Sequence, residues 1–454
     1  MLHKVLSWFV LHFTGNRGAK GLRYSGQLKT YNYLKKMQWN VMEENINIQK
    51  RKLYDIVIFS IEHVPYYREL GFKKEDFSKA TIFDDIKKIP ILTKDIIRRE
   101  GKKMYPDIPI RDWTFENVSG GTTGEPVKFR HSGKFFETDQ GAKLLFDEWS
   151  GRKIGDYQIR LWGSERDIVS GKKDWMNKIY RWMRNEVFLN TFVMSEDVIK
   201  KYINVINETK PKMILAYVQS IMEIVKYANL NHIEMYSPRG IMTSAGTLDE
   251  QMLEEIQKVF KCPVFNRYGS REMGDMACSC NKNEGLHINT FVSYIEVLDG
   301  NYESCNLDEE GQLIVSLLSD YSMPIIRYAI GDRGALSSKT CTCGRGLPML
   351  KCVTGRIIDF FKTMDGRIVY GDYFTHLFYP CTNVKQFQVI QDAIDHILVK
   401  LVFFDKDVDN KGFYFEKENE IKKAMGEGTK VDFKIVDDIP VSKSGKRIYT
   451  ICQI

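Results

Sequence analysis

The stretch Val118-Ser119-Gly120-Gly121-Thr122-Thr123-Gly124-Glu125-Pro126 constrains this chain more than any other. Three glycines and three hydroxyl side chains fall within six consecutive residues. A helix cannot hold so many glycines cheaply, and a strand gains little from them. Glycine does let successive backbone N–H groups surround an anion, and Ser119, Thr122 and Thr123 add hydroxyl donors. A polyphosphate suits such a loop. A plain hairpin turn suits it too, since Trp113–Val118 and Val127–Arg130 read as short strands on either side. A P-loop is excluded, because no Lys follows Gly124 and Pro126 leads into a strand rather than a helix.

The chain has 454 residues, more than one ordinary core accommodates, so two or more domains are expected. Residues from about Lys20 to Leu70 read as helical, broken at His63–Tyr67. After the Gly-rich loop a helix is expected over Phe135–Trp149. Strand-like runs at Gln158–Gly163, Lys212–Tyr217, Ile241–Gly246 and Pro263–Gly269 then alternate with helical runs at Ser220–Ala228 and Asp249–Phe260. That alternation implies an α/β architecture, with ligands gathering at the loops after the strands' carboxyl ends. Ile288–Leu298 and Gly311–Leu317 read as antiparallel strands of a distinct sub-domain, which Gly355-Arg356 closes. Val384–Ile390, His396–Phe404, Tyr414–Met425 and Val431–Val436 read as strand, strand, helix, strand. The expected fold is therefore α/β, a large multi-sheet domain over 1–356 and a small α+β domain over 357–454.

The 66 basic and 59 acidic residues give a net charge of +7, a mild excess spread along the chain that fits a small polyanionic ligand or an anionic surface and does not argue for nucleic acid. Nine unevenly spaced cysteines do not form a secreted disulfide framework, and reduced thiols in a cytoplasmic protein fit better. The apolar start, Met1–Phe13, falls short of a membrane span. It reads as a docking helix, or as a weak hold on a membrane or a membrane-bound partner.

Several sparse signals follow the loop. Ser244-Ala245-Gly246 offers a flat small-residue wall. Tyr268-Gly269-Ser270-Arg271-Glu272 places an aromatic, a turn and a carboxylate at a strand end, beside Arg267. Asp332 follows a Gly turn in Arg327–Arg333, Gly355-Arg356 marks a boundary, and Lys446 ends the late loop Pro440–Lys446. Together, and in this order, they resemble the adenylate-forming superfamily of acyl-CoA synthetases, peptide-synthetase adenylation domains and luciferases. Within it the chain is most similar to the phenylacetate–CoA ligase branch, including relatives found with capsule-polysaccharide genes.

The resemblance implies roles. Ser119, Gly120, Gly121, Thr122, Thr123 and Gly124 would hold the β- and γ-phosphates of ATP. Ser244, Ala245, Gly246, Arg267, Tyr268 and Gly269 would flank the adenine. Asp332 would bind the ribose hydroxyls, and Arg356 would sit near ribose and phosphate. Glu272 would hold Mg²⁺, and Lys446, on the small domain, would meet the α-phosphate and the attacking carboxylate. Lys446, Glu272 and Thr123 form the expected catalytic set. No protein nucleophile is needed, only positioning and charge neutralisation at phosphorus. The chain departs from the family pattern after Gly355-Arg356, where Ile357-Ile358 precede Asp359.

Cys278-Ser279-Cys280, His287 and Cys341-Thr342-Cys343 supply soft ligands from two loops. Four such ligands make a closed, structural zinc site; buried free thiols explain the same residues. Zinc-bound members of the resembling branch use a Cys, a His and a closing Cys-x-Cys, which selects Cys280, His287, Cys341 and Cys343, with Cys278 as substitute for Cys280. The expected function is ATP-dependent activation of a small carboxylic acid as acyl-AMP, with transfer to CoA. Transfer to an amine such as an amino sugar, and a non-catalytic binding protein of a polysaccharide pathway, are the alternatives.

Overall fold

The computed structural model describes residues 2–12, 26–118, 127–162, 174–191, 194, 196–246, 248–355, 360–378, 381, 383–403, 411–439 and 449–454. It divides into two compact units, Met1–Asn117 with Lys128–Gly355, and Val118–Val127 with Arg356–Ile454.

The first unit opens on helices. The expected long helical run is interrupted at Trp39-Asn40, giving Gln27–Met37 and Met42–His63. Leu53, Ile56, Val57 and Ile61 recur at helical spacing on one face of the second and are buried. Val64 is extended, as a residue before proline prefers, and Pro65 starts a new single turn, Pro65–Arg68. The hydroxyl of Thr93 caps the helix Lys94–Glu100 by accepting from the Ile96 N–H.

β1 (Thr114–Val118) and β2 (Lys128–Ser132) form a two-stranded ribbon, and β2 runs into the helix Gly133–Trp149. The main sheet comprises β3 (Gln158–Trp162), β4 (Glu186–Asn190), β5 (Met213–Tyr217), β6 (Gly240–Ser244), β7 (Val264–Ser270), β8 (Gly274–Ser279), β9 (Leu286–Ile288), β10 (Ser293–Leu298), β11 (Gly311–Leu317), β12 (Tyr328–Leu336) and β13 (Met349–Gly355). Its order is β10-β11-β12-β13-β9-β8-β7-β6-β5-β3-β4. β4, β3, β5, β6 and β7 run parallel, and the remaining pairs are antiparallel. β5 reads Met-Ile-Leu-Ala without polar alternation, as a strand covered on both faces must. The helices Glu196–Thr209, Val218–Leu230 and Glu250–Phe260 cover one face through Ile203, Ile206, Ile221, Val225, Ile256 and Phe260.

The antiparallel strands expected as a distinct sub-domain are continuous with this sheet. The three-residue β9 bonds to both β8 and β13 and carries the ladder across.

The second unit contains the ribbon β14 (Phe360–Lys362) and β15 (Ile368–Tyr370), and the four strands β16 (Val384–Ala393), β17 (His396–Phe403), β18 (Lys430–Ile435) and β19 (Thr450–Cys452), ordered β18-β17-β16-β19. The helices Gly371–Phe378 and Lys411–Met425 complete it. Phe361, Phe374, Phe378, Phe387 and Phe403 fill its core.

One buried pair fixes the approach to β12. Arg327, left-handed at φ 52°, forms a two-point ion pair with Glu296 at 3.2 and 3.1 Å and donates to the carbonyls of Lys87 and Ile89 at 2.8 and 2.7 Å. Arg327→Met strands a buried carboxylate and two carbonyls, so urea unfolding is expected to register a loss of about 3–5 kcal/mol. A loss under about 1 kcal/mol would contradict this role.

Candidate active site and metal centre

The carboxyl ends of the parallel strands form a rim. Trp162 ends β3, Tyr217 ends β5, and their ring centroids lie 4.2 Å apart. Ser244 ends β6 in register with Tyr217 and is buried. Ala245 turns the chain away with a left-handed φ of 52°, a conformation that costs a side-chain-bearing residue energy. Gly246 follows it. This rim, where strands stop and backbone turns, is where α/β sheets bind ligands.

The Tyr268 hydroxyl donates to Asp332 Oδ2 at 2.9 Å. Tyr268 lies on β7 and Asp332 on β12, with β8, β9 and β13 between them in the sheet. Strands spaced about 4.8 Å apart in a flat sheet would leave these residues far out of reach. The antiparallel half therefore curls until the two meet. Gly269, the next residue, permits a close hairpin, since a Cβ there would stand 2.7 Å from the Gly274 carbonyl oxygen.

Glu272 lies in the turn between β7 and β8 and is 3% exposed. The Asn117 side chain donates to the Arg271 carbonyl at 2.8 Å. Asn117 on β1 is thus bonded to the turn that carries Glu272. Sequence reading missed Asn117, which had no signal beyond its proximity to the loop.

Arg267 sits differently from what the resemblance implies. Alternation along β7 points it away from the side that Tyr268 faces. It is buried and paired with Asp275 at 3.1 Å. The backbone N–H of Asp275 donates to Asp139 on the helix Gly133–Trp149, so the partner of Arg267 is itself bonded to that helix. Burial pushes the Asp275 carboxyl up, against the opposing charge of Arg267. Ser119, Gly120, Gly121, Thr122, Thr123, Gly124, Arg356 and Lys446 lie outside the described residues.

The structure brings Cys280, His287, Cys341 and Cys343 together, their ligand atoms all within 4.8 Å of one another. Cys280 Sγ is 3.5 Å from Cys341 Sγ, and Cys343 Sγ is 3.4 Å from His287 Nε2. Cys278 does not join them. It is buried within β8 in a core with Phe146, Met213 and Phe265, whereas Cys280 lies just past the strand's end, so Cys280 needs no substitute. Cys280 follows β8, His287 is the centre of β9, and the two lie across a turn with Gly285 at φ 139°.

The donor set fits a tetrahedral dication. Backbone N–H groups of Lys282, Cys343 and Arg345 point at the sulfurs of Cys280, Cys341 and Cys343 at 3.4–3.5 Å, stabilising thiolate charge. Burial pushes the Cys280 and Cys341 thiols up, a penalty a bound cation reverses. Burial, with the Arg345 charge behind it, lowers His287 to about 4, leaving the neutral imidazole that metals take. Glu284, unremarked in the sequence, accepts from the Thr342 N–H and hydroxyl at 2.7 and 2.8 Å and locks the two ligand loops together.

Residues 361–453 match a family model described as the CapK C-terminal domain. Protein CapK of Staphylococcus aureus is 26% identical over 420 residues, covering 90% of this chain and 89% of that one. A phenylacetate–coenzyme A ligase of Thermus thermophilus is 22% identical over 324 residues, covering 69% and 70%. A 2-hydroxyisobutyryl-CoA ligase, solved with 2-HIB-AMP and CoA in its thioester-forming state, superposes with a TM-score of 0.62. It shares 16% identity, covers 92% of this chain and 91% of its own, and establishes the fold. No described helix is long and apolar enough to cross a membrane. The chain thus has the fold of a solved acyl-CoA ligase and is similar over most of its length to protein CapK and to a phenylacetate–coenzyme A ligase.

Proposed function

We propose that this cytoplasmic enzyme joins a small carboxylic acid to AMP and passes the acyl group to the thiol of CoA. The observation that carries the reading is the meeting of Tyr268 with Asp332 beside the rim at Ser244, with Asn117 of β1 bonded to the turn that carries Glu272. In this reading Ser244, Ala245 and Gly246 present a flat wall to the adenine, and Tyr268 orients Asp332 toward the ribose hydroxyls. Ser119, Thr122 and Thr123 bind the β- and γ-phosphates with their neighbouring amides. Glu272 would hold a magnesium ion, which supplies neutralising charge for the phosphates.

The first step makes a bond between a carboxylate oxygen and the α-phosphorus, and pyrophosphate leaves with the electron pair of the broken P–O bond. Two anions must approach, so the barrier is largely electrostatic, and Lys446 would neutralise the charge that builds at the α-phosphate. In the second step the thiol loses its proton, its sulfur attacks the acyl carbon, and AMP departs. The Trp162–Tyr217 pair at the ends of β3 and β5 offers an aromatic wall for the acid.

Pyrophosphate exchange into ATP across a panel of carboxylic acids tests the first step. Exchange that depends on one acid class is expected, and Lys446→Ala is expected to lower it on the order of 10²-fold with unchanged melting temperature. Acid-independent exchange, or wild-type exchange by Lys446→Ala, counts against the assignment. A thioester assay with the same acid reads the second step, and product formed with an amine in place of CoA would redirect it.

We further propose that Cys280, His287, Cys341 and Cys343 hold a structural zinc ion. Four protein ligands leave no open position for substrate, so the ion would secure the β8-β9-β13 junction and take no part in the chemistry. Elemental analysis is expected to find about one zinc per chain, lost in Cys341→Ser with a fall in melting temperature of roughly 5 °C or more. Metal-free protein of unchanged melting temperature overturns it.

A further inference from the structure

One charge stands in the row of side chains beneath the rim. Register across the parallel strands puts Phe188 of β4, Arg160 of β3, Leu215 of β5 and Met242 of β6 side by side. Residues paired in this way share a face of the sheet, and so do residues two apart on one strand. Trp162 therefore stands above Arg160, and Tyr217 above Leu215. Leu215 and Met242 are buried with Phe146 of the helix Gly133–Trp149, and Trp162 packs against the same cluster. The Trp162–Tyr217 wall thus continues downward as an apolar floor, interrupted by a guanidinium.

That guanidinium is poorly satisfied. Among the described residues its nitrogens make no hydrogen bond, and Nε is buried without a partner. Nη1 lies 3.7 Å from Glu186 Oε2, beyond hydrogen-bond distance. Glu186 is already engaged through its other oxygen, with Arg184 Nε at 3.1 Å and Arg152 Nη2 at 3.4 Å. Arg152 also holds Asp147 at 2.8 Å. Around these two carboxylates stand three guanidiniums, which leaves one positive charge unmatched. Arg160 is the most loosely held of the three and the most exposed, at 29% against 4% for Arg152 and 16% for Arg184. Its guanidinium carbon lies 5.5 Å from the Trp162 ring centroid and 5.7 Å from that of Phe188, so aromatic faces hold it in place where an acceptor is missing.

A cation this far from water without an acceptor is costly. A carboxylate answers it, because two oxygens in one plane match two N–H groups of the guanidinium fork. Two residues of strand span about 6.6 Å. A chain of a few methylenes therefore reaches from the rim, where the reacting carboxylate would sit, to Arg160. A monoacid of the same length would set its apolar end against the charge and leave the guanidinium unmatched.

We propose that Arg160 binds a second carboxylate at the far end of the acid, so that the substrate is a dicarboxylic acid activated at one end. The inference rests on the ligase reading for the reaction, though not for the binding. Pyrophosphate exchange with butanoate, pentanoate and hexanoate, each beside the dicarboxylate of equal length, tests it. A kcat/KM higher by roughly 10²-fold is expected for the dicarboxylates. Arg160→Met is expected to erase that preference, and Arg160→Lys, which keeps the charge but not the planar fork, to retain part of it. Monoacids that exchange as well as their dicarboxylates, or an Arg160→Met that lowers both members of a pair alike, overturn the proposal and leave the ligase reading standing. Exchange with no acid counts against the ligase reading, and thermal shift then decides on Arg160. Stabilisation of the wild type by a dicarboxylate, absent with the monoacid and absent in Arg160→Met, supports the site. Equal shifts, or none, overturn it.

Discussion

The hydrogen bond from Tyr268 to Asp332 requires a curled sheet, and the candidate site depends on that curl. In a flat sheet the end of β7 and the Gly turn of β12 would be separate places, and Tyr268 could not reach Asp332. Bringing them together takes a sharp bend across β8, β9 and β13. Cys280 follows β8, His287 is the centre of β9, and Cys341 and Cys343 lie in the loop that leads into β13. The short β9 gives the bend little ladder of its own to hold it, with pairs at only Met349–His287 and Leu350–Leu286 toward β13. The ligand cluster and the Glu284–Thr342 hydrogen bonds supply the missing constraint there. The chemistry at one place in the sheet is thus linked to a closed cluster of soft ligands at another.

Local pattern made much of this legible from sequence. The apolar run of β5, Thr93 as a helix cap, and the strands β16, β17 and β18 follow from periodicity and capping within a few residues. What was illegible depends on partners distant in sequence. β9 has three residues, too few for any period, and β19 is equally short. β4 is an outer strand whose residues Glu186–Asn190 alternate only weakly, with Glu186 buried amid Arg152, Arg160 and Arg184 rather than facing water. Nothing near Ile288 or Gly311 in sequence tells that their strands join the same sheet as the parallel half.

The candidate residues divide along the same line. Cys280 and Cys278 are two residues apart, so strand alternation could not choose between them; the choice needed the end of β8 at Ser279 and the packing of Cys278 against Phe146, Met213 and Phe265. Arg267 carries the opposite lesson. Its neighbourhood in sequence is that of the site, yet alternation turns it toward Asp275, away from the side that Tyr268 faces. The N-terminal segment was readable as an apolar helix, Leu2–His12, but which of its faces docks required the position of the helix Asp174–Met183, whose Met183 carbonyl accepts from the Ser7 hydroxyl.

The central claim is that a carboxylate oxygen attacks the α-phosphorus of ATP. Turnover with an acid labelled with oxygen-18 in its carboxylate tests this most directly, by mass spectrometry of the phosphorus-containing products. The account requires one labelled oxygen in AMP and none in pyrophosphate, because the attacking oxygen stays on phosphorus when the acyl group leaves. Label in inorganic phosphate released with ADP would mean attack at the γ-phosphorus, and it would contradict the account.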